Sequence, residues 1–197
     1  MKLIIFIAFL YSYNSYCKVK FDSSIEQFYS ELQKAKVKNV ESAIAILDDK
    51  FFNPNQYAVL FQTRSIQPSS LKYPRILLFG KNRELRIGIN HNLGQKRNID
   101  ILQFRKDKKV WELREISFDN GNLAISKANP SICISCHGNK EILPEFKGRY
   151  LQASNIKMKS LQNSKKIDVS YFRSIVKSDS IYSRLKGLES YLQELGL

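Results

Sequence analysis

The sequence is sparing with the residues that interrupt, cross-link or ligate. In 197 residues there are five Pro, eight Gly, three Cys, two Met, two His and one Trp. So little Pro and Gly, with no repeat and no low-complexity tract, excludes a collagen-like chain. A hydrophobic fraction of 43% and 12% aromatics exclude a disordered one. The length leaves room for one ordinary domain with a small appendage, not for a large multidomain enzyme. Acidic residues are also scarce: 18 Asp and Glu stand against 32 Lys and Arg, a net charge of +14. This excess biases partners towards acidic surfaces. The lysines are spread along the chain (Lys34, Lys36, Lys38; Lys106, Lys108, Lys109; Lys165, Lys166) and form no basic arm, so no nucleic acid is expected as a partner.

Long hydrophobic runs are nearly absent, and the exception is at the start. Met1-Lys2 is followed by an apolar stretch from Leu3 to Tyr11, the length of a signal-peptide core. It is too short to span a bilayer, which takes about 20 apolar residues. Ser12, Asn14 and Ser15 interrupt it, and Lys18 and Lys20 end it. Residues 1–17 therefore read as a signal peptide, with Ser15 and Cys17 as the small residues before the cut. The competing reading makes Cys17 a lipid attachment point, although Asn14 and Tyr16 suit that signal poorly. Either way the protein is expected to be exported to the periplasm, with peripheral contact to anionic membrane as one consequence of its charge.

Three further segments follow. Residues 18–55 show helical spacing at Ile25, Phe28, Tyr29, Leu32, Val37, Val40, Ala43, Ile44 and Leu47, with Ser23 or Ser24 placed to cap, and predict one bent or two short helices. Residues 56–128 alternate in short runs: Tyr57 to Thr63, Arg75 to Phe79, Leu85 to Ile89, Ile99 to Phe104, Val110 to Phe118 and Leu123 to Ser126. Turn residues separate the runs, and Asn120-Gly121 is the strongest hairpin signal. A five- or six-stranded antiparallel meander is expected. Residues 129–197 return to helical spacing, clearest from Tyr171 to Leu195. The fold class is thus α+β: N-terminal helices, an antiparallel β-meander and a C-terminal helical part.

With so few Cys and His, their clustering is informative. Cys133-Ile-Ser-Cys136-His137 places two thiols three positions apart with an imidazole directly after. This spacing attaches haem c: the thiols reach the two vinyl groups and the imidazole turns under the ring to bind iron. Shuffling this composition would produce the pattern roughly three times in ten thousand. Gly138 lets the backbone pass close to a ring, and Pro130 is expected to hold the approach extended. Three other readings compete. A thiol-redox Cys-x-x-Cys belongs near a βαβ pattern, which is missing here. Zinc needs a fourth ligand, and adjacent Cys136 and His137 crowd a small tetrahedral ion. A Cys133–Cys136 disulfide would close a very small loop and leave His137 unexplained.

The runs Pro74-Arg75-Ile-Leu-Leu-Phe-Gly80, Ile99-Asp-Ile-Leu-Gln-Phe104, Trp111-Glu-Leu-Arg-Glu-Ile-Ser-Phe118 and Asn129-Pro130-Ser-Ile-Cys133-Ile-Ser-Cys136-His137-Gly138 resemble a family of exported proteins from predatory and related bacteria. Its members carry one c-type haem motif behind a β-rich region, and the likeness covers about residues 55–140. The resemblance implies a cytochrome c-like protein and supplies no reaction. The family continues with a Pro- and Trp-containing segment, where this chain has Gly138-Asn-Lys-Glu-Ile-Leu-Pro144-Glu-Phe. The far side of the haem is therefore not carried over.

The expected cofactor is one covalent haem c, with Cys133 and Cys136 as its thioethers and His137 as the proximal iron ligand. Met158, the one methionine beyond the signal, is the candidate distal ligand, and His91 in Asn90-His91-Asn92 is the second. No catalytic cluster of His, Arg and acid is legible, so an electron carrier is favoured over an enzyme, with an acidic redox protein as partner. A haem-based sensor is the alternative within haem chemistry.

Overall fold

The first helix begins where a side chain can close it. Ser24 Oγ accepts a hydrogen bond from the Gln27 N–H at 3.2 Å, and Gln27 Oε1 accepts from the Ser24 N–H at 2.8 Å, forming a reciprocal capping box. Helix α1 (Ile25–Lys34) then buries Ile25, Phe28 and Leu32 on one side. It ends in a Schellman pair: Val37 N–H donates to Leu32 O at 3.1 Å, and Lys36 N–H to Gln33 O at 3.0 Å. Lys36 takes the left-handed backbone (φ 51) usually left to glycine. A second capping box, Asn39 with Ser42, starts α2 (Val40–Ala45). The helical spacing over residues 22–47 is thus resolved as two short helices. The computed structural model describes residues 18–60, 69, 74–90, 98–131, 133–134, 174 and 180–194.

Six strands form one antiparallel sheet: β1 (Tyr57–Leu60), β2 (Arg75–Phe79), β3 (Leu85–Asn90), β4 (Ile99–Arg105), β5 (Val110–Asp119) and β6 (Asn122–Ile125). They lie side by side in chain order, as a meander should. Asn120 (φ 52) and Gly121 (φ 77) join β5 to β6 in the left-handed conformations that suit the twist of a two-residue hairpin. The α+β class follows: one antiparallel sheet with helices packed on one side.

Alternation along the strands separates two faces. On the near face Ile76 and Leu78, Ile87 and Ile89, Ile99 and Ile101, and Ile116 are sealed beneath Phe28, Leu32, Phe51 and Phe52 in one core. Each such side chain contributes about 1.5–3 kcal/mol by leaving water. Two helices from the end of the chain, α3 (Ser180–Arg184) and α4 (Leu188–Glu194), join the same layer through Ile181, Tyr182, Leu185 and Leu188. Arg184 fastens them. Its guanidinium lies 3.8 Å from the Phe52 ring centre, donates to Ile44 O in the last turn of α2 and to Leu47 O just after it, and reaches Asp49 at 2.7 Å. Tyr57 OH completes the join by donating to Lys186 O at 2.8 Å.

Candidate functional site

The strand that follows the last hairpin carries the chain to Cys133. Ile125 pairs with Ile116, and Ser126 continues the ladder on Glu115, donating its N–H to Glu115 O at 2.8 Å and accepting from Glu115 N–H on its Oγ at 2.9 Å. The next contact is not Ala128 but Asn129. Its N–H donates to Leu113 O at 2.8 Å while its Oδ1 accepts from Leu113 N–H at 2.9 Å. Lys127 and Ala128 therefore stand opposite Arg114 alone, a bulge of one residue that bends the edge of the sheet. Asn129, at φ 53, takes the left-handed backbone that Asn tolerates best after Gly.

The expectation that Pro130 holds an extended approach is corrected here. Pro130 O accepts from both Cys133 N–H at 2.9 Å and Ile134 N–H at 3.1 Å, so the proline opens a helical turn. The two-point grip of Asn129 on Leu113 turns the chain before the proline, and a fixed φ then suits the first residues of a helix. Cys133 is half-buried on this turn. Cys136, His137, Met158, His91 and Cys17 lie outside the described residues. Among the described residues no group of three or more His, Cys, Asp and Glu sits together to hold a metal, and no helix is long and apolar enough to cross a membrane.

The far face of the sheet begins beside this arm. Register links Arg86 on β3 to Leu102 on β4 and Leu102 to Leu113 on β5, and Leu113 is held by Asn129. These four residues form one row across the sheet. Arg86 lies with its guanidinium carbon 4.1 Å from the Trp111 ring centre, and Trp111 packs against Phe104 at 5.4 Å. Arg86 Nε donates to Arg83 O at 3.3 Å, whereas its Nη1 is buried and has no hydrogen-bond partner among the described residues. Burial, followed by the neighbouring charge of Arg83, pushes the Arg86 guanidinium down to about 10. Further along the same face, Arg75 is ion-paired with Asp100 two strands away, and its guanidinium passes over Gly88. A Cβ at residue 88 would stand 2.7 Å from Arg75 Nη2.

The opposite rim carries a second ionic group. Glu112 joins Arg114 at 2.6 Å and Arg105 at 2.8 Å, and Arg105 also pairs with Glu26 of α1. The hydrogen bond from Arg105 holds the Glu112 carboxyl below its ordinary range and brings Glu26 to about 2. This group ties α1 to the sheet.

Sequence reasoning did not single out Arg86, Trp111 as its stacking partner, or Asn129. The signal for Arg86 was available: in Leu85-Arg-Ile-Gly-Ile89 the near-face positions are all apolar, so the arginine must occupy the other side. Comparison with protein-family models, curated proteins and solved structures finds no match to this chain.

Proposed function

We propose that the protein is an exported c-type cytochrome that carries one haem, bound through Cys133 and Cys136 with His137 as proximal ligand, and that its role is one-electron transfer. The observation that carries this reading is the motif Cys133-Ile-Ser-Cys136-His137 itself. Two features of the described residues suit a porphyrin. The backbone is helical at Cys133, and in a helix residues three positions apart lie on one side. The Cys133 side chain is half-buried rather than sealed in the near-face core.

When bound, haem supplies the one-electron chemistry. The chain's residues attach it, orient it and limit its contact with water. Asn129 fixes where the attachment turn leaves the sheet, so the thiols depart from a rigid strand and not from a free loop. Met158 is the proposed sixth ligand and His91 the second candidate. The C-terminal segment is read as the haem-binding helical part, and an acidic redox protein as the partner that a charge of +14 attracts. Export, with the signal removed near Cys17 or Cys17 lipidated, gives the thiols the compartment in which such attachment occurs.

Expression in a host that matures haem c tests the reading. The protein should gain the mass of one haem, give a pyridine haemochrome spectrum, and lose both when Cys133→Ala and Cys136→Ala are combined. Stoichiometric zinc, or a reversible dithiol with no porphyrin, overturns it. In the haem-bearing protein Met158→Ala should abolish the weak near-infrared band of a thioether on ferric iron and lower the potential. If it does not, His91→Ala is the next variant.

A further inference from the structure

We infer that a cleft beside the start of α1 binds a small zwitterion, an α-amino acid, and this site stands apart from the haem reading. The cleft has a volume of about 190 Å³ and is walled by the loop that leads into α1, the turn Lys81–Arg83 between β2 and β3, the start of β3 and the end of β4. That is several times the share of one water, about 30 Å³, and less than the roughly 300–1,000 Å³ of drug-sized pockets, so the cleft suits a molecule of amino-acid size.

Its walls are set before any ligand arrives. Lys81 N–H donates to Phe21 O at 3.0 Å and draws the turn onto the loop. Gly80 permits that approach, because a Cβ there would stand 3.0 Å from Phe21 O. Gln103 Oε1 accepts from the Ile25 N–H at 3.0 Å, so its oxygen is committed to α1 and its N–H donors are left for a ligand. Ser23 is only 7% exposed and lines the cleft, yet its hydroxyl makes no hydrogen bond among the described residues. A buried hydroxyl in that state costs free energy that a bound polar group recovers.

Charge chooses the ligand. Two ammonium groups, Lys81 and Lys106, and two carboxylates, Asp22 and Glu84, line the cleft, so its charge is balanced and neither a phosphate nor a cation is favoured. Lys106 and Glu84 satisfy each other at 2.8 Å. Asp22 and Lys81 pair neither with one another nor with any other described residue. An α-amino acid carries one charge of each sign, so its ammonium can meet Asp22 while its carboxylate meets Lys81. Ser23 and Gln103 add neutral hydrogen bonds, and Phe21 and Leu85 offer apolar surface to a side chain. A sugar would leave both charges unneutralised. Because Asp22 and Lys81 are exposed, each charge should strengthen binding only about two- to fivefold, which makes this a millimolar site.

The test uses isotope-labelled full-length protein. The common amino acids are titrated singly, with glucose, acetate and methylammonium as comparators. An amino acid should give saturable heat and move the Gln103 side-chain amide resonances; the comparators, with one charge or none, should not. Asp22→Lys should abolish the heat, and Ser23→Ala should weaken binding several-fold. Exchanging the pair, Asp22→Lys with Lys81→Asp, restores one charge of each sign and should recover binding to within about fivefold. Lys127→Glu, exposed and outside the cleft, should change nothing and controls for net charge. If no amino acid moves Gln103, if glucose binds as well as any amino acid, or if the exchanged pair stays silent, the inference is overturned. Haem content is read on the same protein, and neither result depends on the other.

Discussion

The two faces of one sheet are built on different rules. On β3 the residues Leu85, Ile87 and Ile89 point to the helices and are sealed in a core of Ile, Leu and Phe, while Arg86 and Gly88 of the same strand point the other way. The near face uses many interchangeable contacts, each non-directional. The far face also buries apolar side chains, Ala58, Leu60, Leu77 and Phe79 together with Leu102 and Leu113, and sets among them directional contacts: Arg86 on Trp111, and Arg75 laid over Gly88 to Asp100. Mass burial fixes the fold, and single side chains with one permitted arrangement are available for chemistry.

The largest expected effect tests the near face. Phe28→Ala removes a fully buried ring between α1 and the sheet and should cost about 3–5 kcal/mol in urea unfolding. A loss under about 1 kcal/mol would mean that the helical layer is not what holds the sheet. An intermediate effect is expected on the far face. Gly88→Ala brings a methyl to 2.7 Å from Arg75 Nη2, whose side chain is 11% exposed and tied to Asp100, and should cost about 1–3 kcal/mol. Combining it with Arg75→Leu should make the added methyl nearly neutral; equal costs in both backgrounds would show that the clash is not with Arg75.

The smallest effect belongs to the rim. Glu26, ordinarily at 4.5 and brought to about 2 by the Arg105 hydrogen bond, binds its proton less readily folded than unfolded. Its contribution is therefore complete above pH 4.5 and lost as pH falls towards 2. Because Glu26 is mostly exposed, solvent screening keeps this below about 1 kcal/mol. The stability difference between the unmodified protein and Glu26→Gln should be measurable at pH 7 and vanish near pH 2. A difference that grows on acidification would refute the sign.

Much of the near face was legible in the sequence, because periodicity reports which side of an element is apolar. The strands at Arg75, Leu85, Ile99 and Val110, and the Asn120-Gly121 turn, could be read from alternation and turn chemistry. The far face could not. Which arginine meets which aromatic depends on register between strands, and register is set by pairing over distances that a local pattern does not encode. The left-handed Asn129 was hidden for the same reason: the residue before a proline is ordinarily extended, and only the backbone of Leu113, 16 residues earlier, overrules that preference. Of the candidate site, Cys133 alone of the named ligands and attachment residues lies within the described residues.

The clamp of Asn129 on Leu113 has a further consequence for solubility. β5 runs over ten residues, whereas β6 covers only its last four, from Ile116 to Asp119. Unprotected, the backbone from Leu113 to Glu115 would offer hydrogen-bonding groups to any extended segment of another chain, the usual template for aggregation. Ser126 and Asn129 occupy those groups at Glu115 and Leu113, and the bulge between them bends the border out of the flat geometry that a foreign strand needs. The segment that delivers the cysteine thus also guards the sheet, so a change at Asn129 would release both duties together.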